Sequence, residues 1–174
     1  GRELHAAGRK ALFANTTGSY NTASGATALA ANTTGANNTA HGYRALYLSV
    51  TGSNNTAVGY QALYENAKTV AATAIVTGIN YTIQTTGTTD FTLIGAADSN
   101  PGTTFTATGA GTGTGTASSN TDNNTAVGYQ ALQDNTVGTI NTALGRQALA
   151  NNTTGNNNTA VSYAMVSNLT GSEN

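Results

Sequence analysis

A 17-residue phrase, Asn-Thr-Ala-x-Gly-x-x-Ala-Leu followed by a polar stretch that mostly ends in Thr-Gly, recurs through this chain and leaves it little choice of fold. It begins at Asn21, Asn38 and Asn55, and again at Asn124, Asn141 and Asn158. A worn copy starts at Leu4, with Ala6, Gly8, Ala11 and Leu12 on the repeat's own positions. A fixed period of this length belongs to stacked, quasi-one-dimensional architectures, where each unit buries its apolar face only against its neighbours. Such a chain is expected to act through repetition, not through a single active site.

Within one copy the apolar residues do not keep a 3.6 period, and Gly and Thr-Gly interrupt every unit, so helix is excluded. The pattern predicts an all-β parallel solenoid, a β-roll or β-helix, whose coils each hold two short extended segments with a turn after each. The third position is always Ala (Ala6, Ala23, Ala40, Ala57, Ala126, Ala143, Ala160), which marks a tight inward site. The ninth is Leu at Leu12, Leu29, Leu46, Leu63, Leu132 and Leu149, an inward aliphatic stack. The fourth varies through Ala7, Ser24, His41, Val58, Val127, Leu144 and Val161, as expected of a rim or of a face toward a neighbouring chain. Gly25, Gly42, Gly59, Gly128 and Gly145 mark one bend, and pairs such as Thr34-Gly35 and Thr51-Gly52 another, each expected to use φ > 0. Coils one strand spacing apart, about 4.8 Å, would set Asn and Thr in register for hydrogen-bonded ladders, and seven coils would span about 35 Å.

Composition agrees with a thin core. Leu, Ile, Val and Phe make up under a sixth of the chain, while Thr, Asn and Gly supply more than two-fifths. With a net charge of −1, this is not the highly charged composition of a disordered chain. Ordering each residue's backbone costs about 1–2 kcal/mol. One Leu and a few Ala per coil leave a lone chain short of core, so self-association along the axis is expected. The fourth position and the row Tyr43, Tyr60, Tyr129 and Tyr163 are the candidate contacts.

From Asn55 to Asn124 the spacing is 69 residues, about 52 more than one period. The reading is therefore solenoid repeats at 1–65, an inserted β-rich subdomain at 66–122, and repeats continuing the same stack at 123–174. Within the insertion Tyr81–Gln84, Phe91–Ile94 and Thr103–Ala107 read as strands and Asn100-Pro101-Gly102 as a turn. Ile75, Ile79, Ile83, Phe91, Ile94 and Phe105 are its core candidates. Insertions in repeats decorate one face, often the binding face. In the last copy Ser162 replaces Gly and one residue is lost, which leaves Met165 on the Leu position. Gly1 and Asn174 fall on the closing positions of copies, which suggests an interior piece of a longer protein.

Chemistry-bearing motifs are few. Gly109–Gly115 lacks the spacing and the Lys of a phosphate loop. His5 and His41 occupy different repeat positions, and Asp90, Asp98, Asp122 and Asp134 are dispersed. No catalytic, cofactor or metal residue is assigned, and no enzyme is expected. Six Lys and Arg form no basic face for nucleic acid. No apolar run reaches about 18 residues, so no membrane insertion is expected. With no cysteine, disulfides and thiolate metal sites are excluded. Sequons occur at Asn15, Asn32, Asn37, Asn54, Asn80, Asn123, Asn151, Asn157 and Asn168, as chance gives a chain rich in Asn and Thr. The column Thr22, Thr39, Thr56, Thr125, Thr142 and Thr159 reads as a structural ladder, with an ice-binding ladder as the alternative.

The phrases Asn55-Thr56-Ala57-Val58-Gly59-Tyr60-Gln61-Ala62-Leu63 and Asn151–Ala160 resemble repeats of phage tail-fibre proteins, particularly of marine and cyanobacterial phages. They are also similar to the head repeats of trimeric autotransporter adhesins, whose shorter Asn-Ser/Thr-x-Ala-x-Gly coil builds a trimeric left-handed β-roll. Gly87–Gly95 and Thr104–Gly109 resemble modules of phage tail proteins. The resemblance implies a non-enzymatic fibre segment, a homotrimer continuing into further fibre segments, located in a virion tail fibre and supporting host attachment through a cell-surface glycan or protein receptor. A bacterial trimeric surface adhesin head, extracellular or on the cell surface, is the first alternative and an ice-binding solenoid the second.

Overall fold

The computed structural model describes residues 3–163, 165, 166, 168 and 170–172. Gly1, Asn174 and Ala164 of the last copy lie outside the described residues. The chain is all-β and divides into two compact units, residues 1–67 with 121–174, and residues 68–120. Its strands are β1 Leu4–Ala7, β2 Asn21–Ser24, β3 Thr39–His41, β4 Thr56–Val58, β5 Thr69–Ala71, β6 Asn80–Thr85, β7 Thr104–Thr106, β8 Thr116–Ser119, β9 Thr125–Val127, β10 Thr142–Leu144 and β11 Thr159–Val161.

The first unit is a β-solenoid of 17-residue coils. Seven strands form one parallel sheet in the order β1-β2-β3-β4-β9-β10-β11, each paired with its equivalent one coil away. Ala40 pairs with Ala57, Ala57 with Ala126, and Ala126 with Ala143. The register thus carries straight from β4 to β9 although 69 residues separate Asn55 from Asn124. Inside, the Ala and Leu columns make one apolar core, with Leu29, Leu46, Leu63, Leu132 and Leu149 fully buried and Met165 packed against it in Leu's place. Ala6 is the exception among the inward alanines, being exposed along with the rest of β1.

Each coil has one strand, not two. The stretch Gly-x-x-Ala-Leu that follows the strand is a run of turns in which the seventh and ninth positions are left-handed: Gln61 at φ 54° and Leu63 at φ 51°, for example. It still bonds coil to coil, with Leu63 N–H donating to the Ala131 carbonyl and Gln61 N–H to that of Tyr43. The two glycine columns also differ. Gly25, Gly42, Gly59, Gly128 and Gly145 sit at φ 128–139°, a region closed to other residues, and a Cβ on Gly42 would fall 2.5 Å from the Gly59 carbonyl oxygen. The glycine of Thr-Gly, by contrast, is not at positive φ. It is needed for closeness, since a Cβ on Gly52 would stand 2.6 Å from the Thr121 carbonyl oxygen.

Two asparagine columns replace apolar filling at the corners. The first (Asn21, Asn38, Asn55, Asn124, Asn141, Asn158) is fully buried. From Asn21 to Asn141 each Oδ1 accepts the next coil's backbone N–H, as in Asn38 N–H to Asn21 at 2.9 Å, while Nδ2 donates to a turn carbonyl, as in Asn38 to Gly52 at 2.8 Å. The second column runs through Asn15, Asn32, Ser49, Asn66, Asn135 and Asn152; at Asn32, Asn135 and Asn152 the Nδ2 donates both to the carbonyl three residues on and to the Asn one coil back. Asn66 keeps this role across the interruption, donating to the Thr121 carbonyl at 3.2 Å. The interruption therefore occupies the two-residue tip of an Asn-x-x-Gly corner, with Thr121 in the glycine's place. Asn66, Ala67, Thr121 and Asp122 fall in the first unit, so the second unit covers 68–120 where the sequence reading set the insertion at 66–122.

The second unit holds an antiparallel sheet ordered β5-β8-β6-β7. Tyr81, Ile83, Phe91, Ile94 and Phe105 are buried, with Phe91 edge-on to Phe105 at 5.8 Å between ring centroids. Tyr81 belongs to this core and Ile79 does not, because in β6 the buried positions are Tyr81 and Ile83. Phe91–Ile94 is a 3-10 turn, not a strand. Asp90 caps it, accepting from the Thr92 N–H at 3.0 Å, and Gly95 closes it at φ 108°. Asn100-Pro101-Gly102 makes the expected turn, closed by Thr103 N–H to the Asn100 carbonyl at 3.1 Å.

Candidate functional surface

Alternation along each solenoid strand turns Asn and Ala inward and sends Thr and the fourth position outward. The Thr column from Thr22 to Thr159 is continuous in register and, except for half-buried Thr56, exposed. Its hydroxyls have no protein hydrogen-bond partner among the described residues. The threonine ladder is thus no structural ladder; the buried asparagines do that work. Beside it the fourth-position column is half-buried at Ser24, Val58 and Val127 and exposed at His41, Leu144 (48 %) and Val161 (60 %). His5 lies in the Thr column and His41 in the other, both exposed.

The flank beyond the first glycine bend is richer than sequence reading anticipated. Tyr43, Tyr60 and Tyr129 stack at 5.5 and 5.2 Å between centroids. The sixth-position row is then interrupted by Arg146, whose guanidinium lies 5.9 Å from the Tyr129 ring. Tyr163 is exposed, with that arginine's coil between it and Tyr129. One position on, Gln61, Gln130 and Gln147 form an amide ladder, Gln147 Nε2 donating to Gln130 Oε1 at 3.1 Å. A second aromatic pair, Tyr47 and Tyr64, stacks at 5.4 Å in the tenth position. Arg44 sits between the two aromatic columns, 5.1 Å from Tyr43 and 5.4 Å from Tyr47. Lys10 lies 5.5 Å from Phe13 in the same way. The signal for this flank was in the sequence: the sixth and seventh positions hold Arg9, Lys10, Arg44 and Arg146, most of the chain's cations, and the tenth holds Phe13, Tyr47 and Tyr64.

The carboxylates do not converge. Asp90 and Asp98 are held below the usual range, first by hydrogen bonds from the hydroxyls of Thr92 and Thr103 respectively. Asp122 is pushed up by burial, opposed by the Ser53 N–H that donates to it at 2.6 Å. Burial likewise pushes up the Tyr81 phenol, whose oxygen accepts from the Val76 N–H. Among the described residues no three His, Cys, Asp or Glu side chains gather as a metal site would require. The sequons divide: Asn37, Asn54, Asn123 and Asn157 are exposed, whereas Asn32 is fully buried with its Nδ2 engaged and leaves no room for a glycan.

Comparison of the chain with known protein families, with curated proteins and with solved structures yields no match, so any function assigned to it rests on its own residues.

Proposed function

We propose that the chain is a non-enzymatic structural segment of a fibre, of the kind found in phage tail fibres and similar surface appendages, supporting attachment to a host or surface. The observation that carries this reading is the in-register parallel ladder itself. Its coils repeat the same inward Ala, Leu and Asn and the same glycine bend, so length is added without new design. The apolar outward column of Val58, Val127, Leu144 and Val161 suits a second copy of the chain, and a parallel homotrimer is the arrangement proposed. The setting is a virion tail fibre, with a bacterial surface adhesin as the rival. Partners are further fibre segments and a cell-surface glycan or protein, not nucleic acid or a membrane interior. No helix among the described residues is long and apolar enough to cross a membrane.

Light scattering with electron microscopy tests this. We expect a multimer of three chains forming short rods. A monomer that melts cooperatively at micromolar concentration would sink the proposal.

A second reading, an ice-binding surface, is favoured by one observation, the exposed column of threonine hydroxyls without protein partners. Thermal hysteresis that disappears in Thr39→Tyr would establish it, and its absence at millimolar protein would remove it.

A further inference from the structure

We propose that a notch over the second coil binds an anionic pyranose unit of a glycan. The proposal deepens the attachment half of the reading above and takes its biological setting from it, although the notch is complete within one chain.

The notch arises from a gap in a column. The tenth position carries Phe13 in the first coil, Ala30 in the second, Tyr47 in the third and Tyr64 in the fourth. Where rings occupy successive coils, as in Tyr47 and Tyr64, they stack at 5.4 Å and leave no space. Phe13 and Tyr47 are two coils apart, about 9.6 Å at the strand spacing, with only a methyl group between them. The seventh position repeats the pattern, with the short Thr27 between the long Lys10 and Arg44. The result is a cleft of about 180 Å³ walled by Phe13 and Tyr47, floored by Thr27 and Ala30, and bordered by Lys10 and Leu48. That is well below the size of a drug-like pocket and suits a single ring. A saturated ring needs about 4 Å to the aromatic carbons on each side, so a chair-shaped sugar fits between the two walls more closely than a flat aromatic would.

Charge sets the ligand's sign. Each aromatic wall has a cation against it, Lys10 by Phe13 and Arg44 by Tyr47. Between Arg9 and Asn54 the chain contains no acidic residue, and the next carboxylate, Glu65, belongs to the fourth coil. The Arg44 Nε is buried and has no hydrogen-bond partner, while its guanidinium is fixed between Tyr43 and Tyr47. The Thr27 hydroxyl donates to the Ala26 carbonyl at 2.7 Å, leaving its oxygen free to accept from a sugar hydroxyl. Walls for the apolar faces of a ring, cations for its acid and an acceptor for its hydroxyls together describe an anionic pyranose, carboxylated or sulfated.

The test uses the full chain and titration calorimetry with glucuronate-containing, sulfated and neutral oligosaccharides of equal length. We expect the acidic sugars to bind, more weakly as salt rises, and the neutral ones at least tenfold less tightly. A preference between the uronate and the sulfated sugar names the acid. Ala30→Tyr introduces the ring that the repeat already carries at Tyr47 and Tyr64, so it should fold and melt as the parent does while losing at least tenfold in affinity. Lys10→Gln with Arg44→Gln should abolish the salt dependence. Absence of binding by any acidic sugar at millimolar concentration, equal binding of neutral sugars, or binding indifferent to Ala30→Tyr would each overturn the proposal. Light scattering on the same samples separates it from the fibre reading: a trimer that binds no acidic sugar sinks the notch alone, and a monomer that binds one sinks the fibre alone.

Discussion

At Ser49 the second asparagine column loses its amide. The Ser49 hydroxyl and the Asn32 Oδ1 facing that level are both buried without a partner, whereas Asn135 and Asn152, with a full amide, bond coil to coil at 2.9 Å. Restoring the amide supplies a donor to Asn32 and removes an unpaired oxygen. We expect Ser49→Asn to stabilise the fold by about 1–2 kcal/mol in urea denaturation. A fall in the midpoint would mean that the site cannot hold the larger side chain. The seventeenth position is left-handed throughout and is Asn at Asn37, Asn54, Asn123 and Asn157, but Ile at Ile140, φ 58°. A β-branched residue is strained there. Ile140 is 55 % exposed, so little packing is lost on replacing it. Ile140→Asn should gain about 1 kcal/mol by the same measurement, strain of this kind costing about 1–3. Asp122 invites a pH experiment. Because burial raises its pKa, the native state holds the proton more tightly than the unfolded chain does. The stability linked to it is therefore greatest below the unfolded pKa and falls as pH rises through the folded one. Asn156 performs the same acceptance as a neutral group, taking the Thr139 N–H at 2.7 Å. Asp122→Asn should then melt higher than the parent at pH 7 and converge with it in acid; a lower melting point at pH 7 would contradict this.

At the scale of elements, the parallel strands and the bend were legible because a 17-residue period fixes which residues stack. The turns between Gly and Leu were not, since Ala-Leu reads as extended or helical and carries no Gly or Pro. A signal was present nonetheless. The ninth position is Leu or Met and never Val or Ile, the choice expected where φ is near 50° and a branched Cβ would clash. Phe91–Ile94 was misread for a comparable reason: an apolar tetrapeptide has no period of its own, and the Asp90 cap decides it. The polar interior was hidden by composition, because a buried Asn and a turn Asn look alike until the register is known. The aromatic and basic flank went unread because its rings fall in two columns, of which only the sixth-position tyrosines stood out, and its cations are split between the sixth and seventh positions. The Asn66–Thr121 corner makes the independence of the two units testable. Replacing residues 67–121 by Thr-Thr-Gly rebuilds the corner found at Asn32–Gly35. We expect the shortened chain to keep its β circular dichroism and its state of assembly. Loss of folding would show that residues 68–120 are needed by the solenoid.

For the solenoid unit as a whole, the backbone hydrogen bonds of every coil point toward its neighbours, from Thr22 N–H to the Asn38 carbonyl at one end to Thr142 N–H to that of Asn158 at the other. The bonds that hold successive coils together therefore lie along the stacking axis. A pull along that axis loads them coil by coil, in series, instead of shearing many at once. Each 17-residue coil that peels away releases about 58 Å of extended chain, and the coil that begins at Asn55 carries residues 68–120 in addition. The unit should behave as a yielding ratchet that gives way in equal steps at modest force, apart from that one longer coil. Side-by-side copies would share the load among parallel chains, and for a segment that bears tension this is a mechanical reason to associate, separate from the thin core.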